Sequence, residues 1–393
     1  MKFTDVLWAH NIYRIINRHW YIQGKLKVLP TNSEKVLNEY GFNVEDINTY
    51  LYSNKTKQKN EVSKLNQDLN SEVKPCFMYK DDQVLLEGLK QAKVLTNTID
   101  YNELPEKIVE LEKSFKLTEE VHSNVKRKIL LSCLLESTQT KLPKRKDPLR
   151  PAWNFPRDYG ISDDRKNELL CKNLMMACEN YTKKKNCSTV YDTFFSVPFE
   201  AHGKQIQFEI TSEILVTTSE KLKPITNPNL TFHENLPIIY PTHCTISLLP
   251  CKNYVMDNIY PLSMKSKYPF VQTAILHLNY SQMKKICDEI TEEQILGRSL
   301  LKGFTIAAAQ ARAEYGNEIS ELPEPVVIPI VHTDGRMFHF SIYQLNTLNL
   351  DKETNLKNIF WSIPRIPLYD ECQYKQGKPV LENYNSDTNN SQV

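Results

Sequence analysis

The stretch from residue 293 to 361 constrains the fold most, because a long helical pattern is followed there by a β-hairpin pattern. Apolar residues recur every three or four positions from Leu296 to Tyr315, which predicts a helix with one buried stripe. Two β-branched and aromatic runs follow, at 326–331 and 337–343, and an Asp-Gly pair lies between them at 334–335. Such a pair predicts a hairpin with a type I′ turn, in which both central residues have positive φ.

The composition limits the function. The 393 residues contain no run of about 20 apolar residues, so the sequence predicts no membrane span. The net charge of +2 is small, so any RNA binding must come from local basic patches. The closest two of the 10 glycines are Gly297 and Gly303, which excludes the glycine-rich loops that hold nucleotide phosphates. The 9 cysteines are scattered, which indicates reduced thiols in an intracellular or organellar compartment.

These patterns predict an α+β fold with a mixed, largely antiparallel sheet, packed helices, long proline-rich loops and extended termini. Helices are expected at 81–98, 103–113, 118–138 and 162–186, and strands at 190–200, 205–217 and 270–278. The predicted segments are a targeting segment or arm (1–30), a polar linker or arm (31–75), a helical region (76–140), a basic proline-rich linker (141–160), an α+β core domain (161–365) and a disordered tail (366–393). The basic, acid-poor and amphipathic start is typical of a mitochondrial transit peptide, and an ordinary surface helix is the alternative.

A basic, proline-rich stretch at 141–157 is the candidate nucleic-acid contact. Prolines keep it extended, so that its cations could follow a phosphate backbone while its aromatic rings stack on bases. Its candidate contact residues are Lys141, Lys144, Arg145, Lys146, Arg150, Trp153 and Arg157. A solvated linker between domains is the competing interpretation.

No catalytic or metal-binding pattern is complete. His332 and His339 flank the acid at the predicted hairpin tip, but no nucleophile or oxyanion loop accompanies them in the sequence, so a structural role is favoured. Cys244 and Cys251 have the spacing of no structural zinc class. The sequence therefore predicts no enzyme, no cofactor and no small-molecule substrate.

Several short blocks resemble a known family. They are Leu85–Ala92, Leu104–Lys107, Ala309–Arg312, Tyr315–Asn317, Glu324–Val327, Thr333–Arg336, Phe338–Phe340, Gln344–Thr347 and Lys357–Asn358. In order and spacing they resemble the family of the mitochondrial large-subunit ribosomal protein numbered thirty-seven, which includes a paralogue once called programmed cell death protein nine. The motif residues expected to be structural are Gly88, Gln310, Arg312, Tyr315, Gly316, Asp334, Gly335, Phe338, His339, Phe340 and Asn346.

The resemblance implies a non-enzymatic component of the large ribosomal subunit in the mitochondrial matrix. Its partners would be large-subunit mitochondrial rRNA and neighbouring ribosomal proteins, including the paralogue. The hairpin would then present Arg336 to a ribosomal partner. The alternatives are a free mitochondrial RNA-processing factor or matrix enzyme of α+β fold, and a scaffold protein without RNA contact.

Overall fold

The computed structural model describes most of the second half of the chain and parts of the first. The described residues are 32–41, 75–114, 117–137, 139–142, 149–150, 152, 159–182, 186–201, 203–227, 235–239, 243–252, 254–278, 290–350, 356–376 and 378–385. The chain divides into two units, residues 1–72 and 73–393. In the first unit the structure describes helix α1, Asn32–Glu39.

The second unit alternates helices with strands. Its described helices are α2 Gly88–Thr96, α3 Glu106–Ser114, α4 Glu119–Leu134, α5 Asp163–Thr182 and α6 Glu292–Tyr315. Its described strands are β1 Cys76–Tyr79, β2 Thr98–Tyr101, β3 Thr140–Lys141, β4 Tyr159–Gly160, β5 Cys187–Ala201, β6 Lys204–Thr218, β7 Leu249–Cys251, β8 Phe270–His277, β9 Glu321–Thr333, β10 Met337–Thr347, β11 Asn358–Ser362, β12 Ile366–Pro367, β13 Glu371–Lys375 and β14 Lys378–Glu382. Among the described residues, no helix is both long enough and apolar enough to cross a membrane.

One sheet of ten strands organises the second unit. Its order is β2-β11-β10-β9-β8-β6-β1-β7, with β5 beside β6 and β12 beside β10. Three strand pairs are parallel (β1 with β6, β8 with β9, and β11 with β2) and the other pairs of this sheet are antiparallel. The predicted α+β class with a mixed, largely antiparallel sheet is therefore confirmed.

Side chains that alternate along β10 lie in two different cores, one on each face of the sheet. Tyr343 and Leu345 lie in the main core with α2 and α6, whereas Phe338 and Phe340 lie in a second core with α4 and α5. Successive side chains of a strand point to opposite faces, so this arrangement follows from the period of two in the sequence. His339 is buried on the α6 face, opposite its two phenylalanine neighbours.

Helix α6 is central rather than amphipathic. Thr291 and Gln294 form a capping box at its start, with the Thr291 Oγ1 accepting from the Gln294 N–H and the Gln294 Oε1 accepting from the Thr291 N–H. Every residue from Gly297 to Ala311 is buried, since the sheet covers one side and α2 packs on another. The predicted single apolar stripe is therefore wrong: Arg298 and Lys302, which a stripe would leave in solvent, are also buried.

Two glycines allow α2 and α6 to cross at van der Waals contact. A Cβ added at Gly297 would lie 2.6 Å from the carbonyl carbon of Gly88, and one added at Gly88 would lie 2.6 Å from the carbonyl carbon of Glu293. Gly88 also has a φ of +52°, which L side chains rarely adopt. The family-motif glycine at 88 is thus a packing residue.

We expect Gly297→Ala to lower the free energy of unfolding by about 1–3 kcal/mol, because the added methyl group must push the two backbones apart. Urea denaturation of the purified protein measures the change. Helix propensity alone predicts the opposite sign, a gain of up to about 1 kcal/mol. A stabilised Gly297→Ala protein would therefore contradict the crossing geometry.

Several boundaries differ from the sequence predictions. The helix expected at 81–98 begins only at Gly88. The strands that flank it, β1 and β2, pair with β6 and β11 of the ten-stranded sheet. The segment 366–393 was expected to be disordered, but β13 and β14 form a hairpin there and Leu368 is fully buried. That prediction is wrong for 366–376 and 378–385, because apolar side chains of this segment complete the second core.

Candidate functional site

The turn between β9 and β10 is held by side chains. The Asp334 Oδ1 accepts hydrogen bonds from the backbone N–H of Arg336 at 2.9 Å and of Met337 at 2.7 Å, and the Thr333 Oγ1 accepts from the Gly335 N–H at 2.9 Å. Gly335 has a φ of +90°, whereas Asp334 is not among the residues with positive φ. The hairpin is confirmed, and the type I′ turn is wrong, because the carboxylate closes the turn instead.

Two histidines of this hairpin converge on a serine of α6. The Ser299 Oγ lies 2.7 Å from the His332 Nδ1 and 3.0 Å from the His339 Nδ1, and it donates to the Ile295 carbonyl at 3.1 Å. Sequence reasoning missed Ser299 as a partner of the histidines. The signal available was its spacing of four from Gly303, which places two small residues on one side of the helix.

This histidine cluster (Ser299, His332 and His339) has the atoms of a nucleophile and a base, but it is sealed. All three side chains are at most 1% exposed. Burial lowers the pKa of His339 to about 4, with a further contribution from Arg365, and burial also lowers the pKa of His332. The imidazoles are therefore neutral at physiological pH, and solvent cannot reach the serine. The arrangement supports the structural role predicted for His339.

An ion cluster that the sequence did not predict lies on the same side of the sheet. The Lys302 Nζ is 2.8 Å from the Asp81 Oδ1, and the Arg298 guanidinium donates to the Asp81 carbonyl at 2.5 Å and to its carboxylate at 3.3 Å. Lys302 is fully buried and Arg298 is 5% exposed. Burial alone would raise the pKa of the Asp81 carboxyl, but Lys302 and Arg298 more than offset this and lower it.

The ion cluster completes the sheet at a junction. Strand β5 pairs along one edge of β6, while β1 and β8 share the other edge and leave Thr211 between them. There the Thr211 N–H donates to the Asp81 carboxylate, and the Thr211 carbonyl accepts from the Lys302 Nζ at 2.8 Å. Side chains thus satisfy the backbone groups that no strand reaches.

The family-motif residues at the end of α6 tie the helix to the surrounding elements. The Gln310 Oε1 accepts from the Val271 N–H at 3.0 Å, and the Arg312 guanidinium donates to the Pro198 carbonyl at 2.6 Å. The Tyr315 hydroxyl accepts from the Lys221 Nζ at 2.9 Å. These contacts hold β8, the β5 edge and the loop after β6, so the motif acts inside the fold.

Asn346 belongs to a buried amide network at the other end of β10. Its Nδ2 donates to the Lys357 carbonyl at 2.8 Å, and its backbone N–H donates to the Asn358 Oδ1 at 2.8 Å. The Asn358 Nδ2 in turn donates to the Thr96 carbonyl at 2.9 Å. The network joins β10, β11 and the end of α2, so residues of motif blocks that are distant in sequence are in contact.

Most of the predicted basic contact lies outside the described residues. Lys144, Arg145, Lys146, Trp153 and Arg157 fall there, whereas Lys141 and Arg150 are described and exposed. Arg336 is also exposed, at the tip of the β9–β10 hairpin. Among the described residues, no contact joins Lys141 or Arg150 to Arg336.

A cleft of about 420 Å³ opens between α4, α5 and the sheet. Apolar side chains including Val121, Leu174, Ile275 and Phe338 line most of it. Within the described part of the chain, no group of three or more His, Cys, Asp or Glu side chains is arranged to hold a metal ion. The lining of this cleft is therefore mainly apolar.

Comparison with known proteins finds similarity to mitochondrial ribosomal proteins. The family described as "Mitochondrial 28S ribosomal protein S30 (PDCD9)" matches residues 215–389. "Large ribosomal subunit protein mL37" of Rattus norvegicus is 28% identical over 323 residues, which cover 78% of this chain and 69% of the relative. The Mus musculus protein of that name is 28% identical (73% of this chain, 65% of the relative), and the Gallus gallus protein is 24% identical (76% and 66%).

The two kinds of name differ in the subunit they mention, since the family description refers to a 28S protein and the relatives' names to the large subunit. The matches cover about two thirds of each relative's own length. They confirm the resemblance predicted from the sequence blocks.

Proposed function

We propose that this chain, which is similar to mL37 over about three quarters of its length, is a structural component of the mitochondrial large ribosomal subunit. The similarity between residues 85 and 358 carries the proposal, because motif residues there make buried contacts that join α2, α6, β10 and β11. The large subunit is preferred over the 28S particle because the relatives matched over most of the chain carry that name. The protein would act in the mitochondrial matrix and support mitochondrial translation.

In this role the chain would contact large-subunit rRNA and neighbouring ribosomal proteins, including the paralogue, without catalysis or a small-molecule substrate. The framework residues are turned inward, so contacts with partners would come from the exposed surface and from the basic segment at 141–157. The sealed histidine cluster gives no support to the alternative of a matrix enzyme, because no substrate atom can approach Ser299.

Sedimentation tests the assignment directly. The tagged full-length chain is expressed in cells of the source organism, and a mitochondrial lysate is separated on a sucrose gradient. The chain should co-migrate with the mitochondrial large subunit after a moderate salt wash. Migration with the small subunit would favour the 28S name instead. Recovery only at the top of the gradient would overturn the ribosomal assignment.

The basic segment makes a separate prediction. Changing Lys144, Arg145, Lys146 and Arg150 together to glutamine should weaken incorporation and flatten its salt dependence, because fewer phosphate contacts release fewer counterions. Incorporation is measured across a salt series.

The matched control removes the same charge from exposed lysines elsewhere, namely Lys223, Lys252, Lys265 and Lys267. It should retain the parent's salt dependence. Equal losses in both variants would show that net charge matters and the segment does not.

A further inference from the structure

Two cysteines lie directly opposite each other at the end of the ten-stranded sheet. Strand β1 pairs antiparallel with β7, and Cys76 is the register partner of Cys251. Opposite residues in such a pair have Cα atoms about 4.5 or 5.5 Å apart, and a disulfide requires a Cα separation of about 4.4–6.8 Å. The two backbones therefore already hold these cysteines at the separation that a disulfide needs. Among the strand pairs that the structure describes, no other cysteine lies opposite a cysteine.

The two side chains share the face of the sheet that points away from the main core. Phe77 packs against that core, and Tyr79 belongs to it. Successive side chains of a strand point to opposite faces, so the Cys76 side chain points to the other face. Directly opposite residues of a strand pair point to the same face, so the Cys251 side chain lies there too. A bond between the two sulfurs would thus leave the packing of the main core unchanged.

Solvent reaches the two thiols unequally. Cys76 is 0% exposed, whereas Cys251 is partly exposed. Strand β7 is the last strand in the order of the sheet, and its other two residues, Leu249 and Pro250, are exposed. A small reagent can therefore reach Cys251, while Cys76 can react only with a group that lies beside it in the fold.

We propose that Cys76 and Cys251 form a reversible disulfide across the β1–β7 pair when the protein meets a low-molecular-weight disulfide such as glutathione disulfide. Cys251 loses its proton to solvent, and its sulfur attacks glutathione disulfide, which breaks the glutathione S–S bond and releases one glutathione. Cys76 then loses its proton, and its sulfur attacks the Cys251 sulfur of the mixed disulfide, which releases the second glutathione. The released thiolates take up the two protons, so two protein thiols are oxidised and one glutathione disulfide is reduced to two thiols.

The setting of Cys76 makes the second step the slow one. Burial raises the pKa of the Cys76 thiol to about 11, with further contributions from Cys251 and Glu209. Because only the thiolate attacks a disulfide, few Cys76 thiols are reactive at neutral pH. The attack is intramolecular between groups that the strand pair already holds together, which offsets part of this cost. The glutathione adduct on Cys251 should therefore accumulate first and then convert to the internal disulfide.

The test uses the purified full chain, so its outcome is independent of the ribosomal assignment. The protein is incubated with glutathione disulfide at neutral pH, separated from the reagent and transferred to buffers that span about two pH units above neutral. After set times the remaining thiols are blocked with N-ethylmaleimide, and unreduced peptides are identified by mass spectrometry.

The adduct on Cys251 should be replaced by a peptide pair that links Cys76 to Cys251, and excess reduced glutathione should reverse the link. The conversion rate should rise about tenfold per pH unit, because the thiolate fraction of Cys76 does so below its pKa. The linked form should unfold at a higher urea concentration, since the bond constrains the unfolded chain.

Two variants at partly exposed positions complete the test. Cys251→Ser should remove both the adduct at this position and the link, whereas the matched control Cys372→Ser should leave both unchanged. An adduct on Cys251 that persists at every pH, or a link from Cys251 to any other cysteine, would overturn the proposal. A conversion rate that does not change with pH would contradict the assignment of the buried Cys76 thiol to the slow step.

Discussion

Replacing Asp81 with asparagine should lower the free energy of unfolding by about 3–5 kcal/mol, because Arg298 and Lys302 would remain buried without their carboxylate. Lys302 cannot avoid this cost by turning to solvent, since its side chain is fully buried against the Thr211 carbonyl. The asparagine side chain could still accept a hydrogen bond from the Thr211 N–H. The loss therefore measures the uncompensated charge and not a broken strand junction.

Urea denaturation followed by tryptophan fluorescence measures the change, and Asp82→Asn is the matched control. Asp82 is the next residue and is exposed, so its replacement should change stability by no more than about 0.5 kcal/mol.

Adding Lys302→Met to Asp81→Asn should recover part of the loss, because one buried cation disappears. The loss should persist in high salt, since buried pairs are weakly screened. Equal stability of Asp81→Asn and Asp82→Asn would contradict the role of the ion cluster.

The local patterns of this chain predicted its long elements because each pattern reports on a single element. The helix at 118–138 and the strands at 190–200 and 205–217 appear as α4, β5 and β6 with small shifts at their ends. The 326–343 hairpin appears with the expected alternation of buried faces. A period of two or of 3.6 survives folding whenever one face of the element is buried.

The elements that the sequence patterns did not predict correctly depend on contacts with other parts of the chain or with side chains. Strands β1 and β2 have four residues each and alternate too briefly to be seen, and they exist because β6 and β11 supply their hydrogen bonds. The β9–β10 turn has an Asp-Gly sequence typical of type I′, but two backbone N–H groups bind the Asp334 carboxylate. In each case a tertiary or side-chain contact decides between locally equivalent conformations.

The candidate site shows the same limit. The sequence placed His339 opposite Phe338 and Phe340 correctly, but Ser299 lies 40 residues away along the chain and only α6 packing brings it to the imidazole. The ion cluster was invisible because Lys302 lies on the helical pattern where a charge is ordinarily solvated. Residues of the sequence blocks that resemble the ribosomal-protein family make contacts within the fold, as Gln310, Arg312 and Asn346 show. In the proposed function, contacts with partners would therefore come from exposed residues.

We expect stability to fall steeply as pH is lowered from about 6.5 toward 5, because three buried histidines stay neutral in the folded protein. Burial lowers the pKa of His277, His332 and His339 below the ordinary value of 6.5, and that of His339 falls to about 4. Below pH 6.5 the unfolded chain binds protons that the folded chain does not, so protonation favours unfolding. Each histidine contributes up to about 1.4 kcal/mol per pH unit.

The pH range in which stability is lost identifies the histidines as the groups responsible. For His339 the loss starts near pH 6.5, is absent above it, and ends near pH 4, where the folded protein also takes up the proton. Carboxylates with lowered pKa, such as Asp81, destabilise the fold only near and below their ordinary value of about 4. Measurements between pH 7 and 5 therefore report mainly on imidazole.

Urea titrations at several pH values test this with two variants. His339→Asn keeps a polar side chain that can hydrogen-bond to Ser299, and this side chain does not titrate. The slope of unfolding free energy against pH should therefore fall by up to about 1.4 kcal/mol per pH unit. Phe338→Leu, on the opposite face of the same strand, should lower stability equally at every pH and keep the parent slope. If both variants keep the parent slope, a proton must enter the folded cluster at His339 more easily than its sealed position allows.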